Sequence, residues 1–391
     1  SLKQSIEGNN RSYDLYYIDW KDFSNNVFHV VPEFEIEKTR SLELKRPDIV
    51  LFINGIPFAV IEAKVPDNTE KDSLKDAIEQ HLENQWEENI PRLFIYTQLL
   101  IAISKNDFAY ATTGTPKKFW SKWKELKGDD KQVSKLINRK LNKKDEEILF
   151  SYRDFKTEKE FFSNLENAGE RLVTEQDKNL YALCSPERLL DLSYGFIVFD
   201  AGLKKIARYQ QYFVVKSSLR RIKTKDHTDK RKGGVIWHTQ GSGKSLTMVM
   251  LARAIINDSE IEKQQIILVT DREDLDKQLG NTFHACGLEK ARASSARNLI
   301  KHIKDGKQII TTLVHKFDRA FSATQFKNES NDIFVLVDES HRTQFGSFAA
   351  SMRAMLPNAS YIAFTGTPLL KTEKNNFSKF GDLIEPHYSI R

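Results

Sequence analysis

At 391 residues, with a net charge of +6 and two cysteines, the chain is long enough for two domains and too poor in cysteine for a disulfide framework or a zinc cage. No run approaches the roughly 18 to 20 apolar residues of a membrane span and no charged-then-apolar signal opens the chain, so a reducing, cytoplasmic setting without a membrane is expected. The basic residues are bunched, which suits a polyanionic partner better than an even spread, although a solvated charged face has the same composition.

The first informative segment, Arg46 to Lys64, carries two apolar runs, Ile49 to Ile53 and Ile56 to Ile61, around Asn54-Gly55. Asn-Gly between β-branched and aromatic runs predicts a hairpin. The second run is apolar on both faces until Glu62, as in a strand buried on two sides. Glu62 and Lys64 are two apart and leave that strand on one face, with Asp48 on the partner strand. Two acids that hold Mg2+ and a lysine that stabilises charge at phosphorus can hydrolyse a phosphodiester. The alternative is an ion pair at a strand end. Register decides between them. A strict two-residue turn sets Ile53 against Ile56 and Asp48 against Ile61, which turns Asp48 away from Glu62. A three-residue loop with a bulge at Gly55 brings Asp48, Glu62 and Lys64 to one face, and this bulged turn is the expectation.

A helix is predicted over Lys71 to Asn89 and, after Pro91, a strand over Leu93 to Ile103. His81 on that helix reads as a surface residue. Thr113-Gly114-Thr115-Pro116 reads as a turn. From Lys117 to Lys124, lysines interleave with Phe119, Trp120 and Trp123, which suits a nucleic-acid backbone or an amphipathic helix with tryptophan inward. Residues 125–183 are charged and helical in pattern and hold no low-complexity linker. Two directly packed domains, 1–175 and 176–391, are therefore expected. Pro186 opens a further helix, and Lys216 to Lys232 is a basic stretch.

The strongest motif follows. An apolar strand from Val235 runs into Gly241-Ser242-Gly243-Lys244-Ser245, and an apolar helix from Leu246 to Ile256 follows directly. This is the strand, loop and helix order of a phosphate-binding loop. Gly241 and Gly243 let the backbone fold tightly so that its N–H groups meet phosphate oxygens at a helix N-terminus. Lys244 reaches the β- and γ-phosphates of ATP and Ser245 holds Mg2+. His238 occupies the place where the strict pattern has glycine. Beyond the loop, strands alternate with helices, at Ile266 to Val269, Gln308 to Ile310, Ile333 to Val337 and Tyr361 to Phe364, which indicates a parallel α/β sheet with its motifs at strand ends. Asp338-Glu339-Ser340-His341 and Thr365-Gly366-Thr367-Pro368 close two of these strands. Adjacent acids after a buried strand need a cation. Asp338 is expected to share the Mg2+ of Ser245, and Glu339 to polarise the attacking water.

The set Gly241 to Ser245, Asp338 to His341 and Thr365 to Pro368 resembles the first RecA-like lobe of superfamily-two helicases. Pro47-Asp48 with Glu62-Ala63-Lys64 resembles the restriction-endonuclease-like nucleases. Both in this order, with Ile236-Trp237-His238-Thr239-Gln240 leading into the loop, resemble the restriction (R) subunit of type I restriction-modification enzymes over nearly the whole chain. The resemblance implies an ATP-driven double-stranded DNA translocase and Mg2+-dependent endonuclease, with recognition left to separate modification (methyltransferase) and specificity subunits. It carries Gln80 into the nuclease site, where the family also has a tyrosine at the position of Asn84. It carries Thr239, Gln240 and His341 into the nucleotide site, and Gln210 to the adenine edge, which a carboxamide reads by donating and accepting. The chain ends shortly after Pro368, before a second RecA-like lobe with its arginine finger. These residues alone are therefore expected to bind MgATP and hydrolyse little of it. A non-catalytic nucleotide- and DNA-binding module, or a helicase fused to an inactive nuclease-like domain, is the alternative.

Overall fold

The computed structural model describes residues 2–6, 9–13, 16–66, 73–126, 128–151, 159–160, 163–164, 167–239, 241–338, 345–366 and 380–386; the expectations at Gln240, Glu339, His341 and Thr367-Pro368 lie outside them. The chain divides into two units, Ser1–Ser193 and Tyr194–Arg391. This division falls later than the expected 175/176. The helix Glu175–Cys184, opened by a capping box of Thr174 and Asp177, is tied into the first unit by the Gln176 N–H donating to Lys105 O at 3.4 Å and by Lys178 pairing with Asp130 at 3.2 Å. Arg188 of the next helix, Pro186–Gly195, is tied to Glu125 at 2.6 Å.

The first unit is built on a five-stranded sheet in the order β1 (Phe28–Pro32), β2 (Ile49–Ile53), β3 (Ile56–Ala63), β4 (Leu99–Ser104) and β5 (Asp107–Ala111). Neighbours are antiparallel except β3 and β4. A parallel step needs a crossover, and helix α1 (Ser73–Asn84) lies on that connection. On one face Val50, Val60 and Leu100 pack with Ile90, Leu93 and Phe94, while Ala102 packs with Ala77 and Ile78 of α1. The strand expected from Leu93 begins only at β4, because Pro91 starts a helical turn, Pro91–Phe94, at its first position.

The hairpin has the expected parity by a different route. Asn54 and Gly55 both sit at positive φ, +50° and +81°, and Ile53 pairs with Ile56, so the turn is the two-residue type and not a bulged three-residue loop. The bulge lies one step up the ladder. Phe52 pairs with Pro57, but Leu51 pairs with Ala59 and Ile49 with Ile61, so Phe58 is the extra residue. Pro57 has no N–H to donate, and the ladder is interrupted where its donor is missing. The shift sets Asp48 opposite Glu62.

The second unit holds a six-stranded, all-parallel sheet of β6 (Gly234–Trp237), β7 (Gln265–Thr270), β8 (Ala291–Arg292), β9 (Ile309–Leu313), β10 (Ile333–Asp338) and β11 (Ser360–Thr365). Their spatial order is β6-β11-β10-β7-β9-β8. Strands β7, β9, β10 and β11 are buried throughout, which is why they are largely apolar, with threonines in β9. Helices α2 (Tyr209–Lys223) and α3 (Lys244–Asn257) flank the loop that follows β6. No helix among the described residues is long and apolar enough to cross a membrane.

Candidate functional site

In the first unit the bulged hairpin and α1 bring four of the expected residues together. Glu62 ends the buried part of β3 with no exposed surface. Asp48 accepts the backbone N–H of Ala63 through Oδ2 at 2.7 Å. Gln80 of α1 donates from Nε2 to Glu62 Oε2 at 2.8 Å, and its Oε1 accepts from Lys64 Nζ, so one carboxamide links the lysine to the acid. Burial pushes the Glu62 carboxyl up to about 8; the Asp48 carboxylate adds to the rise and Lys64 opposes it. A carboxyl held this way keeps its proton until a cation displaces it. No group of three His, Cys, Asp or Glu side chains that could hold a metal converges among the described residues. The oxygen donors here are the two carboxylates, a set suited to a hard cation such as Mg2+ with water completing the shell.

Two side chains on α1 differ from the sequence reading. His81 is buried rather than on the surface, because Ala77, Ile78 and His81 share the helix face turned to the sheet. Its Nε2 contacts Ile101 O at 2.9 Å, its ring lies 5.3 Å from that of Trp120, and burial lowers the imidazole to about 4. A neutral histidine packed under the sheet is no candidate base. Asn84 is also buried and donates from Nδ2 to Glu62 Oε1 at 3.4 Å. The lysine and tryptophan segment forms a single 3-10 turn, Lys117–Phe119, in place of an amphipathic helix; Trp123 is buried while Lys118, Lys122 and Lys124 are exposed.

In the second unit the phosphate loop lies beyond the carboxyl ends of β6, β11 and β10. Gly241 and Gly243 take φ of +79° and +87°, the left-handed conformation that glycine adopts without strain. Lys244 Nζ and Asp338 Oδ1 are 3.1 Å apart, with side chains only 13% and 10% exposed. His238 is fully buried beneath the loop. Its backbone N–H donates to Thr365 O at 2.8 Å, its ring Nδ1 lies 3.2 Å from Ser242 Oγ, and burial with the nearby Lys244 lowers its imidazole to about 4. Imidazole thus fills, as a neutral brace, the space that the missing glycine would leave. Thr239 O accepts the N–H of Ser242 at 3.2 Å, and Ser245 sits half-buried in the first turn of α3.

The glutamine that touches the loop is Gln211, not Gln210. Gln211 Nε2 donates to Gly243 O and Thr247 Oγ1, both at 3.2 Å, while its Oε1 accepts the Arg208 N–H at 2.9 Å. A Cβ on Gly243 would come within 2.9 Å of that Nε2 and would displace the Gln211 amide. Gln210 is half-buried one residue earlier. The signal that separates them is the capping box: with Arg208 as N-cap, Gln211 is the third helical residue, whose side chain turns back to the helix start.

The family model described as SWI2/SNF2 ATPase matches residues 210–391, and that described as type I restriction enzyme R protein N terminus matches residues 2–119. The second unit is thus a RecA-like ATPase domain. A Methanocaldococcus jannaschii protein named as the MjaIXP type I restriction enzyme endonuclease subunit is 31% identical over 99% of this chain and 35% of its own length. The HindI endonuclease subunit of Haemophilus influenzae is 30% identical over 94% of this chain and 34% of its own. Among solved structures, the SWI2/SNF2 ATPase core of Sulfolobus solfataricus in complex with double-stranded DNA aligns at 16% identity and a TM-score of 0.37, covering 49% of this chain and 38% of that one. The chain spans about a third of the length of the curated relatives it matches. With both family matches in this order and relatives of one name along nearly the whole chain, it belongs to the family of type I restriction enzyme R subunits.

Proposed function

We propose that the protein is the Mg2+-dependent endonuclease and ATP-driven double-stranded DNA translocase subunit of a type I restriction enzyme, working with modification and specificity subunits and cutting away from the recognised sequence. The observation that carries the nuclease reading is the register shift that sets Asp48 opposite Glu62, with Gln80 joining Glu62 to Lys64. Asp48 and Glu62 hold the cation by carboxylate oxygens. Mg2+ bound there supplies Lewis-acid polarisation of the phosphate and a water of lowered pKa. Lys64, steered by Gln80, places its charge where negative charge develops on the phosphoryl oxygens.

In the second unit the loop N–H groups, opened by Gly241 and Gly243, receive the polyphosphate, and Lys244 leaves Asp338 for the β- and γ-phosphates. Ser245 and the released Asp338 are the Mg2+ ligands, and Glu339 orients the attacking water. Thr239, Gln240 and His341 complete the nucleotide surroundings. Gln211 couples the helix of the adenine side to the loop, and Gln210 beside it reads the base.

Two substitutions in the complete enzyme test this division of labour. Lys64→Ala is expected to abolish cleavage and leave DNA-stimulated ATP turnover intact, and Lys244→Arg to abolish both. Cleavage by Lys64→Ala at the unsubstituted rate makes the first unit a non-catalytic module and overturns the nuclease assignment.

A further inference from the structure

Asn84 occupies a place in the core where a carboxamide is costly. It is 1% exposed, its Nδ2 reaches Glu62 Oε1 at 3.4 Å, and its Oδ1 has no hydrogen-bond partner among the described residues. A buried acceptor left without a donor destabilises the fold, and an apolar side chain of similar volume would remove that cost. Gln80 and Asn84 stand four apart on α1 and so lie one above the other on one helix face. Each donates to a different oxygen of Glu62. The terminal torsion of a glutamate is otherwise broad and only loosely two-fold, so two donors on two oxygens fix the carboxylate plane where one donor would let it swing.

Resting on the nuclease reading above, we propose that Asn84 is a positioning residue of the metal site. Its Nδ2 holds the plane of Glu62, and its Oδ1 is left to accept a hydrogen bond from a water ligand of the cation. Hydrated small cations such as Mg2+ and Mn2+ retain several such waters. Groups that orient a ligating carboxylate from behind govern cation affinity without touching the ion, and their loss typically lowers affinity about 10- to 100-fold. The sequence places a residue here that differs from the tyrosine of the resemblance, and the two halves of its carboxamide serve the ligand and its water separately.

The test is calorimetric titration of Mn2+ into the nucleotide-free chain, with thermal unfolding of the metal-free protein measured alongside. The site is defined as the binding lost in Asp48→Asn. Asn84→Leu keeps the volume and removes both polar atoms. It is expected to unfold at the same temperature as the unsubstituted chain or higher, and to bind Mn2+ about tenfold more weakly at that site. Asn84→Ala is expected to show the same loss of affinity if the leucine does not fit. Affinity within twofold of the unsubstituted chain in either variant overturns the positioning role and leaves the nuclease reading standing. If Asp48→Asn abolishes no Mn2+ binding, the nuclease reading fails and this inference fails with it.

Discussion

The ion pair between Lys244 and Asp338 makes the nucleotide site self-occupied before ATP arrives, and Asp338→Asn exposes the consequence. The two charges lie 3.1 Å apart with 13% and 10% of their side chains exposed. Removing one partner of a buried pair typically costs about 3–5 kcal/mol, because the other charge is left uncompensated. The asparagine keeps an oxygen for the lysine, so the lower end applies, about 3 kcal/mol. For a unit the size of Tyr194–Arg391, each kcal/mol moves the melting temperature by about 2–4 °C. The second unit of Asp338→Asn is therefore expected to melt about 6–12 °C lower. Nucleotide acts in the opposite direction. In the unsubstituted protein, Mg2+-free ATP must take Lys244 from Asp338, whereas in Asp338→Asn the lysine is not held by that carboxylate. In differential scanning fluorimetry, ATP with EDTA should raise the variant's melting temperature more than the unsubstituted protein's, and added Mg2+ should help the variant less. A variant that melts at the unsubstituted temperature, or gains no more from Mg2+-free ATP, refutes the exchange of partners at Lys244.

Three further outcomes are expected. Gly55→Ala should cost about 1–2 kcal/mol in urea unfolding, the cost of a side chain in the left-handed conformation, since φ is +81° and nothing lies within 4 Å of the added Cβ. Gln211→Ala should lower both melting temperature and ATP affinity through the lost bonds to Gly243 and Thr247, while Gln210→Ala should leave stability unchanged and weaken discrimination of ATP from GTP in a competition assay. The Glu62 carboxyl is raised in the folded state to about 8 from an ordinary 4.5, so its contribution to stability is present below about pH 4.5 and is lost as pH rises through about 8. The metal-free chain should therefore lose stability over that window relative to Glu62→Gln, whose curve is flatter; parallel curves refute the buried, proton-holding carboxyl.

The second unit was legible because its strands are buried on both faces and spell themselves largely as apolar runs, although β9 runs through Thr311 and Thr312, past the expected end at Ile310. The expected Ile333 to Val337 differs from β10 by one residue. The hairpin was legible in its pairing of Asp48 with Glu62 but not in the position of its bulge. Asn-Gly suits both turn types, and only Pro57, whose missing N–H interrupts the ladder, marks where the extra residue falls. His81 was recoverable from spacing, since Ala77, Ile78 and His81 fall on one helical face, yet residue type alone argued for the surface. The contact of Gln211 with the loop was hidden because it depends on where α2 starts, and helix boundaries are set by cap geometry rather than by composition. The resemblance aligned Asn84 with a site tyrosine but gave the asparagine no role, because its contact with Glu62 is made by tertiary packing of α1 on the sheet.

The most direct test of the central claim is anomalous diffraction from crystals of the chain soaked in Mn2+. The expected peak is bonded to carboxylate oxygens of both Asp48 and Glu62, with Lys64 and Gln80 beside it. Saturating Mn2+ that leaves those two carboxylates without a metal, or binds with only one of them, would contradict it.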